Sequence, residues 1–161
     1  VFTQSELWVG LAVTLVNGLV FLIRDNRRGF FCALWISFGG LLLALVALAG
    51  WHAGKIGGFP FMVMIGVGMY LPYVAVHTTV FERLIALTRE KGNIGFLMYL
   101  ADATGYLGYC AVMLSRSFFK PEGGFLPFFT KLSLIILLGA LALVTTSILL
   151  YRRRFFIGKQ D

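Results

Sequence analysis

An all-α, polytopic membrane helical bundle with five transmembrane helices is the fold class this sequence predicts, on three observations. The 161 residues are 59% hydrophobic with a mean hydropathy of +0.88. Charged residues make up 13% and cluster between apolar runs. Five of those runs are long enough to cross a hydrocarbon core of about 30 Å at about 1.5 Å per helical residue. The spans are expected at residues 7–23, 30–49, 61–80, 94–114 and 131–151, in a single membrane domain covering 1–161.

Span one places Gly10, Thr14 and Asn17 on one face by helical spacing. Span two is apolar from Leu41 to Ala49 and span five from Leu134 to Leu143, compositions that suit lipid contact all round. Span three aligns Gly66, Tyr70, Tyr73 and His77. Within it Pro72 removes a backbone donor and frees the carbonyl of Gly68, so a kink is expected there. The glycines at 66 and 68 let a helix or a ligand approach the backbone. Beyond span three, Phe81, Leu84, Ile85 and Thr88 predict a short amphipathic extension, with Gly92 as a left-handed stop and Asn93 as the N-cap of span four. Nearby Glu82, Arg83, Arg89 and Glu90 read as a solvated, lipid-facing surface, with a gating salt bridge to another inner loop as the lesser reading.

Span four carries Asp102, the only acid within the predicted hydrocarbon segments, on the same face as Tyr99, Tyr106 and Tyr109. A carboxylate costs several kcal/mol in hydrocarbon, so such residues face a bundle interior or a watery cavity and mark candidate sites. Ala101 with Gly105 and Thr104 with Gly108 form small-xxx-small pairs suited to close helix packing. Helical rise puts Asp102 roughly 12 Å from the boundary at Ile94, and His77, sixteen residues beyond Phe61 in a core of about 30 Å, roughly 6 Å inside the same edge. Tyr73 therefore matches Asp102 in depth better than His77 does: an Asp102–His77 pair is possible only with side-chain reach or tilt, whereas an Asp102–Tyr73 hydrogen bond needs neither.

Of the fourteen Lys and Arg residues, ten fall on one side: Arg24, Arg27, Arg28, Arg83, Arg89, Lys91, Arg152, Arg153, Arg154 and Lys159. Lys55, Arg116, Lys120 and Lys131 fall on the other. The positive-inside rule then sets the start of the chain outside and its end in the cytoplasm. The net charge of +7 reads as topological, with the lipid bilayer as its partner and no nucleic acid. The chain opens on Val1 just before its first span, and five helices do not divide into paired repeats, so upstream helices of the same chain are expected partners.

Redox and metal chemistry are not expected. Cys32 and Cys110 lie toward opposite ends of their spans, and His52 in a loop and His77 in span three assemble neither a zinc site nor a haem pair. No Walker loop, CxxC or GxSxG is present, and no cofactor is expected. A lipid-directed intramembrane enzyme would need several convergent acids, a metal set or an activated nucleophile, so the chain does not read as an enzyme.

The stretches Phe81-Glu82-Arg83-Leu84-Ile85-Ala86, Lys91-Gly92-Asn93-Ile94-Gly95-Phe96 and Tyr99-Leu100-Ala101-Asp102-Ala103-Thr104-Gly105-Tyr106-Leu107-Gly108 carry a resemblance. They resemble an uncharacterised bacterial family of multispan membrane proteins that looks like a divergent branch of the major facilitator superfamily. The resemblance covers mainly residues 70–115. It implies that the five spans are the last five of a twelve-helix transporter in a bacterial inner membrane, with spans two and five at the periphery. The loop from Gly18 to Gly29 holds the acid and arginines of the facilitator loop motif in a different order and spacing.

Two functions are compatible with these features. One is a secondary transporter of a small molecule, with Asp102 exchanging a proton, Tyr73, Tyr106, Tyr99, His77 and Asn17 as cavity groups, and Pro72 with Gly68 permitting movement. The other is a non-transporting membrane scaffold or sensor whose polar stripes are packed against one another.

Overall fold

The computed structural model describes residues 2–88, 93–119 and 124–154. The Gly92 stop, the Arg89, Glu90 and Lys91 part of the charged loop, Lys120 and Lys159 lie outside the described residues. The secondary structure is entirely helical among them: α1 (Phe2–Phe21), α2 (Asn26–His52), α3 (Gly58–Ala75), a π-helical turn (Val76–Val80), α4 (Phe81–Thr88), α5 (Ile94–Phe119) and α6 (Phe125–Arg152). Five helical stretches are long and apolar enough to cross a membrane, the third running unbroken from Gly58 to Thr88. The described residues thus form an all-α bundle whose helices suit a membrane.

Helices outrun the apolar segments because hydropathy marks the hydrocarbon, whereas backbone groups near its edges still need partners and the coil supplies them. This matters at α1, which begins at Phe2 and so carries Glu6. Asp102 is therefore one of at least two acids on membrane-length helices.

The core forms where α3 crosses α2. A Cβ on Gly68 would lie 2.6 Å from the carbonyl oxygen of Gly40 and 2.7 Å from both the backbone nitrogen and the Cβ of Ala44. The backbones touch there because glycine is on both sides. Gly29, Ala33, Ser37, Gly40, Ala44 and Ala47 continue the buried small-residue side of α2. On its far side α2 meets α6: Leu137 joins Leu41, Ala44, Leu48, Phe61 and Ile65 in one cluster, and Ile148 joins Phe30, Ala33, Leu34 and Ala75 in another. The expectation that span two faces lipid all round is thus overturned. Small residues read as merely apolar in sequence, yet aligned on one face they let α2 pack closely between two neighbours.

Two expected features of span ends are present. Asn93 Oδ1 accepts from the backbone N–H of Phe96 at 3.3 Å, capping α5. The amphipathic extension is α4, whose Leu84 and Leu87 pack on the Phe30 cluster of α2. Its Arg83 reaches the turn between α1 and α2, donating to the Ile23 carbonyl at 3.1 Å and to Asn26 Oδ1. Arg83 is accordingly an inter-loop clamp, and the wholly solvated reading of this charge is corrected. The small-xxx-small pairs of α5 do not mark a crossing among the described residues: a Cβ on Gly105 or Gly108 would have nothing within 4 Å.

Asp25 caps α2, accepting from the backbone N–H groups of Arg27 at 2.8 Å and Arg28 at 3.3 Å. Those two hydrogen bonds, Arg28 foremost, hold its carboxyl below the ordinary value of 3.8. A depressed folded-state value means stability that is present above the unfolded value and is lost as pH falls through the folded one. Asp25→Asn keeps a capping oxygen without the titration. Between pH 6 and pH 3, the thermal midpoint of detergent-solubilised protein should therefore fall further in the wild type than in Asp25→Asn, and equal falls would refute the assignment.

Candidate functional site

Pro72 lies inside α3, one turn before the winding widens into the π turn. Pro72 has no N–H to give its own turn, and the run Val76, Thr78, Thr79, Val80 crowds the next one with β-branched side chains. The N–H of Val76 is shared between the Pro72 and Tyr73 carbonyls. Single π turns of this kind sit inside α-helices, frequently at functional sites. This one carries His77.

His77 makes two polar contacts. Its Nδ1 lies 2.9 Å from the Tyr73 carbonyl oxygen, and its Nε2 lies 3.0 Å from Asp102 Oδ1 on α5. A carbonyl oxygen only accepts, so Nδ1 carries a hydrogen. The Nε2 to Oδ1 contact then needs one proton between its atoms, since a bare imidazole lone pair and a carboxylate repel. The pair is either imidazolium with carboxylate or imidazole with carboxylic acid. Both forms are net neutral, and loss of the bridging proton leaves one negative charge and no bond.

Of the two pairings that depth allows, Asp102 makes the one with His77 and not the one with Tyr73. Span three is expected to end at Val80, whereas the helix continues to Thr88. His77 is eleven residues before Thr88 and Asp102 eight residues after Ile94, which brings them to similar levels. Tyr73 serves the site with its carbonyl and its ring, whose centroid lies 4.4 Å from that of His77. Tyr70 stands edge-on to Tyr73 at 6.5 Å and Phe81 edge-on to His77 at 6.3 Å, giving an aromatic ladder along the helix.

Between α3 and α5 opens a groove of about 790 Å³. Tyr70, Tyr73 and His77 line one wall, Asp102, Tyr106 and Tyr109 the other, with Ala101 and Gly105 along α5. The His77 side chain is 19% exposed and that of Asp102 42%, so the carboxyl is accessible from the groove. Tyr99 is exposed on α5 but does not line this space.

Asn17 is not brought to the pair. It is buried on α1, its amide nitrogen donating to the Val13 carbonyl at 3.0 Å, and its Oδ1 has no hydrogen-bond partner among the described residues. The other members of the α1 stripe, Gly10 and Thr14, line a second groove with Glu6 and Tyr70. Tyr70 is thus common to both spaces, and α3 is their shared wall. Glu6 was hidden from a sequence reading that began span one at Leu7; its signal was the polar start of a helix longer than its apolar core. Gly66 and Gly68 both serve helix packing: a Cβ on Gly66 would lie 2.8 Å from Val9 of α1. Cys32 and Cys110 are free, and no cluster of metal-ligating side chains occurs among the described residues.

Comparison with curated proteins and with solved structures returns no match. A match to a sequence family covers residues 1–154, nearly the whole chain and both walls of the groove. The chain belongs to that family, described as a family of unknown function (DUF5690).

Proposed function

We propose that the chain forms part of a secondary transporter that moves a small molecule, with Asp102 exchanging a proton as the bundle alternates access. In this reading the groove between α3 and α5 is part of the substrate path, in a facilitator-like bundle whose further helices close it. The Arg-rich end carrying Arg24, Arg83 and Arg152 faces the cytoplasm of a bacterial cell. The observation that carries the reading is the single-proton contact between His77 and Asp102. It joins two separate helices beside an open groove, so loading or losing one proton bears directly on how α3 and α5 sit. The π turn next to Pro72 supplies a place where such a helix can adjust.

A scaffold or sensor remains the second reading, favoured by α5: none of its described side chains is buried, which leaves a broad face for another protein.

The test is proton movement. Full-length protein in vesicles that enclose a pH-sensitive dye is challenged with fractions of a small-molecule cell extract. A transporter gives a dye response to at least one fraction in the wild type and none in Asp102→Asn. Folded wild-type protein that moves neither protons nor solutes would retire transport in favour of the scaffold.

A further inference from the structure

The groove has a composition that selects for charge. Four tyrosine rings, Tyr70 and Tyr73 from α3 with Tyr106 and Tyr109 from α5, surround the Asp102 carboxyl and the His77 imidazole. Among the described residues, no lysine or arginine lines it. Aromatic faces carry negative potential and attract cations within about 6 Å of the ring centre. Their edges and the small floor at Ala101 and Gly105 accept apolar bulk, with room beside the carboxyl because a Cβ on Gly105 would meet nothing within 4 Å. An anion would meet tyrosine rings and a carboxyl, with no lysine or arginine among the described lining residues to hold it.

We infer that this groove binds an organic cation, a protonated or quaternary amine or its phosphonium equivalent on an apolar body, and that the cation replaces the proton bridging His77 and Asp102. The inference rests on the transport reading for its purpose but not for its chemistry. The exchange balances: the cation brings one positive charge to the Asp102 carboxylate, and the bridging proton leaves to water. His77 remains neutral with its Nδ1 hydrogen on the Tyr73 carbonyl. The titratable groups facing Asp102 are His77, Tyr70 and Tyr73 across the groove and Tyr106 and Tyr109 on its own helix. Only the bridge has to give up a proton for the cation to pair. In the second groove Glu6 stands on the other side of Tyr70, which gives the same ligand class a further acid along α3.

Tetraphenylphosphonium is the probe and tetraphenylborate its control, because the two share an apolar body and differ in the sign of charge. Binding to the full-length protein in lipid nanodiscs is measured by calorimetry in buffers of different ionisation enthalpy. The expected result is release of one proton per phosphonium bound, with affinity weakening about tenfold per unit of falling pH while the bridge is protonated. Asp102→Asn should bind the phosphonium about tenfold more weakly and release no proton. Tyr106→Leu should bind about fivefold more weakly yet still release one. Equal affinity for phosphonium and borate, or affinity unchanged by Asp102→Asn, would reduce the groove to a greasy surface and overturn the inference. Should Asp102→Asn not fold, a pH-independent wild-type affinity overturns it equally. Proton-releasing binding without flux in vesicles leaves this inference standing and removes transport. Flux of other solutes without phosphonium binding does the reverse.

Discussion

Gly68→Ala is expected to cost about 3 kcal/mol of stability, the upper end of what one inserted methyl does in a packed interior, and Gly68→Leu is expected not to fold. The added Cβ would sit 2.6 Å from the Gly40 carbonyl oxygen and 2.7 Å from the Ala44 nitrogen, both backbone atoms of α2. No rotamer change relieves either contact, so α2 and α3 must separate along the crossing that organises the core. Separation strips packing from Leu41, Ala44 and Ile65 and carries α6 away with α2. Ala44→Gly removes the third contact and rescues Gly68→Ala only in part. Gly139→Ala in α6 is the matched control: nothing lies within 4 Å of a Cβ there, and the exchange should be neutral or stabilising by up to about 1 kcal/mol. Denaturation in mixed detergent micelles reads all four variants. A Gly68→Ala midpoint matching that of Gly139→Ala would mean that the helices do not cross at this glycine.

The contrast between Gly68 and Gly105 shows how far the sequence could be read. Small-xxx-small spacing is present on α2 as Gly40 and Ala44 and on α5 as Ala101 and Gly105, and it was the second pair that stood out, beside Asp102. The spacing is the same; what differs is whether a partner helix arrives, and that depends on residues far away in the chain. Span count, span order, the Asn93 cap and the amphipathic α4 were legible because each is set by a local rule of periodicity or hydrogen bonding. The faces of α3 and α5 were legible for the same reason, and Tyr70, Tyr73, His77, Asp102, Tyr106 and Tyr109 do meet across one groove. The pairing within that groove was not legible. It turns on the π turn at Val76–Val80 and on a helix that continues past Glu82 and Arg83, where charge had suggested the span was over. Helical spacing shows that Asn17 shares a side with Gly10 and Thr14, without saying which cavity or neighbour that side meets; Gly10 and Thr14 line the second groove, and Asn17 is buried apart from the His77–Asp102 pair.

Asp102→Asn is expected to preserve the α3–α5 contact while abolishing every proton-dependent property, and Asp102→Leu to lose both. Asparagine has nearly the shape of aspartate and offers both an accepting oxygen and a donating nitrogen, so it can meet His77 Nε2 whether that atom carries a hydrogen or not. What it cannot do is take up or release the bridging proton. Leucine leaves Nε2 facing a methyl group, and an interhelical hydrogen bond in a membrane is worth about 0.6 kcal/mol on average and up to about 1.7. That modest figure is enough here, because α5 has no buried side chain among its described residues and few other contacts to hold it. Thiol labelling reads the contact: Cys110, exposed on α5 two turns beyond Asp102, serves as the reporter once Cys32 is replaced by alanine. The labelling rate should match the wild type in Asp102→Asn and change in Asp102→Leu. Wild-type labelling should also change as pH rises and the bridge loses its proton, whereas Asp102→Asn labelling, corrected for the intrinsic reactivity of the thiol, should not. If the wild type and Asp102→Asn respond to pH alike, no proton joins the helices, and the pair is packing alone.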